Sequence, residues 1–203
     1  GIIDTEKKID IGTSGITLND AVKVIRGKAG SKVTLLLLRG ESTDPIKTEI
    51  TREALDVPSV VTSFVEDNTV AHIKLLKFGA DTEAEWNKAV SQVVSHQPQI
   101  TSLVLDLRNN PGGYLQRAVD LGSEFIADGV IVSQRDRKGT DSLTVDRKGK
   151  LIGMPLVVLI NRGSASASEI LAGALKERLG TKLVGEKSFG KGTVQEAQEI
   201  GDG

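Results

Sequence analysis

Leu103-Val-Leu-Asp-Leu-Arg-Asn-Asn-Pro-Gly-Gly113 begins as an apolar strand and breaks into a glycine turn. Pro155-Leu-Val-Val-Leu-Ile-Asn-Arg-Gly-Ser-Ala-Ser-Ala-Ser168 repeats that arrangement further along. An amphipathic helix is expected after each. Leu115, Ala118, Val119, Gly122, Phe125 and Ile126 share one face of the first, and Ile170, Leu171, Ala174 and Leu175 one face of the second. Continuous apolar strands alternating with such helices predict an α/β core with parallel strands buried between layers.

The flanking sequence extends this pattern in both directions. Strands are predicted over 57–65 and 70–78, with Asp67-Asn68 as the turn between them. A helix over 81–96 follows, with Thr82 and Glu85 as a capping box, Trp86, Ala89, Val90, Val93 and Val94 as its buried stripe, and Pro98 as its stop. Further strands are predicted over 130–134, 142–146, 182–185 and 193–199. Nearer the start, Ile16 to Gly27 reads as a short helix capped by Thr17 or Asn19, with Leu18, Ala21, Val22 and Ile25 on one face. A hairpin of strands over 33–39 and 46–52 follows it. The chain divides on this reading into 1–54 and 55–203.

Composition narrows the function. The 203 residues are 38% apolar and 26% charged, values of a folded globular chain. A net charge of -1 and an aromatic content of 3% remove the basic field and stacking surfaces that nucleic-acid binding needs. With no cysteine there is no disulfide, thiolate metal site or cysteine nucleophile.

Three glycine-rich junctions remain as places for chemistry: Asn109 to Gly113, Gly163 to Ser168, and Gly185-Glu-Lys-Ser-Phe-Gly-Lys-Gly192. The first two follow apolar strands, where α/β active sites collect. The second sets three hydroxyls at a helix start, where free N–H groups can stabilise an oxyanion. For any one of those serines taken alone, helix capping is the better explanation. A nucleophilic serine needs a base. His72 falls within an alternating strand and His96 at a helix end, so neither is well placed. Lys191, flanked by glycines and near Phe189, is the best candidate if burial lowers its charge state, although most lysines are simply solvated. The third junction nearly matches a phosphate-binding loop. Gly192 stands where the magnesium-ligating Ser or Thr belongs, however, and the residues that follow alternate like a strand. Asp106 and Arg108 read as a structural ion pair or cap.

At these residues the chain resembles the carboxy-terminal processing, or tail-specific, proteases. The resemblance rests on Leu105 to Leu115, Gly163 to Ala172 and Ser188-Phe-Gly-Lys-Gly-Thr-Val-Gln195, in that order and spacing, and reaches back through Val70 to Phe78. It implies a crotonase-like α/β spiral protease core, preceded by a partial PDZ-like domain. It implies Ser166 as nucleophile, Lys191 as general base, Gln195 as the residue that positions the lysine, the N–H groups of Gly112 and Ala167 as oxyanion hole, and Glu169 in support. It further implies peptide binding along Leu18, Ala21, Val22 and Ile25, and protein or peptide substrates with C-terminal tails. No metal or organic cofactor is implied. Action outside the cytoplasm is expected, and a homo-oligomer is open for the full-length protein. Both ends read as truncations of a longer chain, with strands expected beyond Gly203. Two rivals stand beside this reading: a peptide-binding module or inactive fragment on the same fold, and an acyl-CoA enzyme.

Overall fold

The computed structural model describes residues 1–40, 42–54, 57–137 and 139–193. The chain separates into two compact units, Gly1–Val57 and Pro58–Gly203.

The first unit is a four-stranded antiparallel sheet with one helix. β1 (Ile2–Asp4) and β2 (Ile9–Ile11) pair with each other. Three residues are too few for a periodic signal, which is why neither strand was expected. α1 (Leu18–Ile25) begins at Thr17, whose hydroxyl accepts from Asp20 N–H. β3 (Lys32–Leu37) and β4 (Ile46–Thr51) form the expected hairpin, and β1 pairs with β3 to give the order β2-β1-β3-β4. Arg52 fastens this unit from inside. Its buried guanidinium reaches Asp4 Oδ2 at 2.5 Å, Ser31 Oγ at 2.8 Å and the carbonyl of Ile25 at 2.7 Å.

The second unit is a five-stranded sheet in the order β11-β10-β7-β6-β5. Its strands are β5 (Val60–Val65), β6 (Val70–Leu75), β7 (Ser102–Asp106), β10 (Leu156–Ile160) and β11 (Lys182–Gly185). β5 runs antiparallel to β6, and the other neighbours are parallel. α2 (Thr82–Ser95), α3 (Leu115–Gly122) and α4 (Ala167–Leu179) supply the helices, and β8 (Val130–Arg135) with β9 (Thr140–Thr144) makes a separate hairpin. The strand expected over 193–199 lies, apart from Thr193, outside the described residues. Among the described residues no helix is long and apolar enough to cross a membrane.

Two expectations are corrected here. The apolar strands are not buried on both sides. Leu103, Leu105 and Val158 are buried, whereas their alternating neighbours Val104, Val157 and Leu159 are only half-buried. Nor is there a capping box at α2. Thr82 is itself helical and buried, and its hydroxyl accepts from Gly79 N–H and donates to the Lys77 carbonyl. Glu85 turns away to accept from the N–H groups of Ser59 (2.6 Å) and Val60 (2.8 Å), fixing the start of edge strand β5. The sequence pattern was right for a cap, but a strand edge held the stronger claim on the carboxylate.

Trp86 of α2 lies fully buried, edge-on to Phe125 at 5.9 Å between ring centroids. Trp86→Ala should therefore destabilise the second unit by about 3–5 kcal/mol, read from its denaturant midpoint. A midpoint that barely moves would show that the core does not hang on this ring.

Candidate active site

β7 and β10 lie side by side and parallel, so the turns at their carboxyl ends meet. The contact is close. Gly163 packs against Asn109, Asn161 Nδ2 donates to Asn109 Oδ1 at 3.0 Å, and Asn109 N–H donates to Asn161 Oδ1 at 2.9 Å. Ser164 is buried and its hydroxyl donates to the Leu107 carbonyl at 2.8 Å, and buried Ser168 donates to the Asn110 carbonyl at 3.0 Å. Two of the three serines are thus engaged in joining the turns.

Ser166 differs from both. It has φ 55° and ψ −118°, a conformation that costs a non-glycine residue of order 1–3 kcal/mol. The strain sits at a sharp turn from strand β10 into helix α4, the geometry that thrusts a side chain out of a sheet's end. The next N–H, that of Ala167, is the first of α4 and has no acceptor among the described residues. Ser166 and Ala167 line a cavity of about 230 Å3 together with Gly113, Tyr114, Leu115, Ile170, Lys191 and Thr193. Ser166 and Lys191 therefore share one cavity.

Glu169 ties the two together. Its carboxylate accepts from Ser166 N–H (2.9 Å) on one side, and from Ser188 Oγ (2.7 Å), Gly190 N–H (2.6 Å) and Lys191 N–H (2.9 Å) on the other. Burial works to raise its pKa, and those four donors outweigh burial, holding it below the ordinary value of 4.5. Folded Glu169 thus binds its proton less tightly than the unfolded chain does. The stability it brings is complete above the ordinary value and disappears as pH falls through the lower folded one. Glu169→Gln should weaken the loss of stability in acid below about pH 4.5, measured by denaturation across pH. It should also release the 188–191 loop from the Ser166 turn, read as faster amide exchange at Gly190 and Lys191. An unaltered acid limb and unchanged exchange would rule this out.

The expected oxyanion donor Gly112 is corrected. Its N–H is buried and donates to Asn110 Oδ1 at 2.9 Å, so it is not available to a substrate. The neighbouring Gly113 is exposed and lines the cavity, and its N–H has no partner among the described residues. Gly112 serves the site by having no side chain. A Cβ there would lie 2.6 Å from the Ala165 carbonyl oxygen, 2.8 Å from Ser166 Cβ and 2.9 Å from Ala167 N.

The burial on which the choice of Lys191 is conditioned is not found, since the residue is exposed. Gln195 lies outside the described residues. In the first unit Ala21, Val22 and Ile25 are half-buried on α1, and the side chain of Leu18 is outside the description.

Asp106 and Arg108 form the expected ion pair. The guanidinium contacts the buried carboxylate through Nε (2.9 Å) and Nη2 (2.6 Å). Burial acts to raise the Asp106 pKa, but Arg108 and His72 together bring it below the ordinary aspartate value. His72 lies 3.4 Å from Asp106 and 3.3 Å from Ser63 Oγ. This serine–histidine–aspartate chain runs from β5 (Ser63) through β6 (His72) to the last residue of β7 (Asp106).

Against this geometry the comparisons are specific. The Peptidase family S41 model matches residues 69–203, and the chain belongs to that peptidase family. It is 39% identical over 193 residues to the carboxy-terminal-processing protease of Bartonella bacilliformis, covering 93% of this chain and 44% of that protein. It is 38% identical over 190 residues to the carboxy-terminal processing protease CtpA of Bacillus subtilis, covering 93% of this chain and 40% of that one. Among solved structures, a photosystem II D1 C-terminal processing protease superposes with a TM-score of 0.68 at 29% identity, over 91% of this chain and 51% of that one. The chain thus spans less than half the length of these two curated relatives.

Proposed function

We propose that the second unit is the catalytic core of a serine endopeptidase of the carboxy-terminal processing type, on a crotonase-like fold, and that the first unit is part of a PDZ-like domain that presents substrate tails to it. The observation that carries this is the shared cavity of Ser166 and Lys191, with both backbones tied to one carboxylate. Neutral Lys191 takes the proton of Ser166 Oγ as Oγ bonds the substrate carbonyl carbon. The displaced π pair becomes an oxyanion that accepts from Ala167 N–H and Gly113 N–H. Collapse breaks the C–N bond, and the Lys191 ammonium returns its proton to the leaving amine. Water then attacks the Ser166 ester with Lys191 again taking and returning the proton. Gln195 is assigned to Lys191 by resemblance, and Ala21, Val22 and Ile25, with Leu18, to the peptide groove. Action outside the cytoplasm rests on the resemblance alone.

The exposure of Lys191 supports a second reading, in which this chain binds peptides without cutting them. Incubation with unstructured peptides, followed by mass spectrometry, separates the two. Cleavage near peptide C-termini supports the protease, and binding with intact peptides supports the module.

A further inference from the structure

Asn110 is fully buried, yet every polar group it has is engaged. Its Nδ2 donates to the carbonyl of Leu75 at the end of β6 (2.8 Å), and Oδ1 accepts from Gly112 N–H (2.9 Å). Its own N–H donates to the Leu107 carbonyl (3.2 Å). Its carbonyl accepts from Ala165 N–H (3.0 Å) and from Ser168 Oγ (3.0 Å), on either side of Ser166. One residue therefore joins β6, the end of β7 and the Ser166 turn.

The consequence falls on the next peptide unit. Asn110 Oδ1 fixes the N–H of Gly112, while the carbonyl of Gly112 accepts from Phe78 N–H at 3.0 Å. The Gly112–Gly113 bond is not among the chain's cis bonds, and in a trans peptide the C=O and N–H point in opposite directions. With the Gly112 carbonyl held toward Phe78, the Gly113 N–H must face away from it. Phe78 is held on its other side by Tyr114 N–H, which donates to its carbonyl at 2.8 Å.

We infer that Asn110 is a positioning residue, which holds the Gly112 N–H inward so that the Gly113 N–H, together with Ala167, faces the reacting carbonyl. This rests on the protease reading above. Asn110 touches no substrate atom. It acts by choosing which of two adjacent N–H groups is offered.

Asn110→Ser in the full chain should lower kcat by about 100-fold, the effect of losing one oxyanion donor, with KM nearly unchanged. The affinity for a peptide boronic acid, which forms a tetrahedral adduct, should fall by a similar factor, and that for an unreactive peptide should not. A merely structural role would reduce the folded fraction and leave kcat per folded molecule intact, which would overturn the inference. Should the variant not fold, glycine-labelled wild-type protein gives the answer by NMR. On boronate binding the Gly113 amide should shift and that of Gly112 should not, and the reverse result would overturn the inference. Ser166→Ala separates the two levels. If it retains turnover the protease reading fails, whereas normal kcat in Asn110→Ser beside a dead Ser166→Ala removes the role of Asn110 alone.

Discussion

Ser166→Ala should reduce peptide cleavage by about four to six orders of magnitude, the range seen when a serine peptidase loses its nucleophile. Lys191→Ala should do nearly the same, and the double variant should be no worse than either alone. In the proposed mechanism the nucleophile and the base act as one unit. Without the amine, the hydroxyl has no acceptor for its proton, and without the hydroxyl, the amine has nothing to activate. Residual activity would come from binding and from the Ala167 and Gly113 N–H groups. Neither substitution should unfold the chain, and Ser166→Ala should cost no more than a helix cap, about 1 kcal/mol. Alanine at position 166 retains the backbone bond from its N–H to Glu169, and Lys191 is bound to Glu169 through its backbone N–H and not its side chain. Steady-state cleavage with denaturation in parallel tests both halves. Effects that multiply in the double variant would show that the two side chains act independently.

Gly112→Ala should be about as damaging for a different reason. Position 112 has φ 94°, which alanine adopts only under strain, and its Cβ would press on the Ala165 carbonyl, Ser166 and Ala167 N together. Those are the atoms that set the Ser166 turn and the proposed oxyanion donor, Ala167 N–H. The backbone must move at the point where a small displacement costs about 100-fold in rate, so turnover should fall by at least about 100-fold, with a loss of stability as well. Gly113→Ala makes a useful partner, since a side chain there would collide with the Phe78 carbonyl and disturb the same peptide unit from its other face. A fully active Gly112→Ala enzyme would contradict the close packing of Gly112 against the Ser166 turn.

Much of this arrangement could be read from residue order. The apolar strands and the helix stripes gave an α/β core, and the serine junction falls at the end of one of its strands, because those features are local and periodic. Selection among neighbouring groups was not local. The assignment of Gly112 as oxyanion donor failed because the choice between Gly112 and Gly113 depends on a side chain folding back. The cue was nevertheless present, since an asparagine two residues before a glycine commonly accepts from that glycine's N–H. Ser166-x-x-Glu169 likewise carries the spacing of a capping box, and Glu169 does accept from Ser166 N–H. Its second set of bonds, to Ser188, Gly190 and Lys191, crosses from α4 to the loop after β11 and leaves no mark in the sequence. Thr82 and Glu85 show the converse, a capping pattern whose glutamate serves a strand edge. The exposure of Lys191 was equally beyond local reading, since burial depends on what lies across the cavity.

The most direct measurement is the site and rate of covalent labelling by a peptide phosphonate, followed by mass spectrometry in the wild-type chain and in Lys191→Ala. A single adduct on Ser166, formed at least about 100-fold more slowly without the Lys191 amine, is the expected result. An adduct on Ser164, Ser168 or Ser63, or one that forms on Ser166 at the same rate in both proteins, would contradict the pairing of this serine with this lysine.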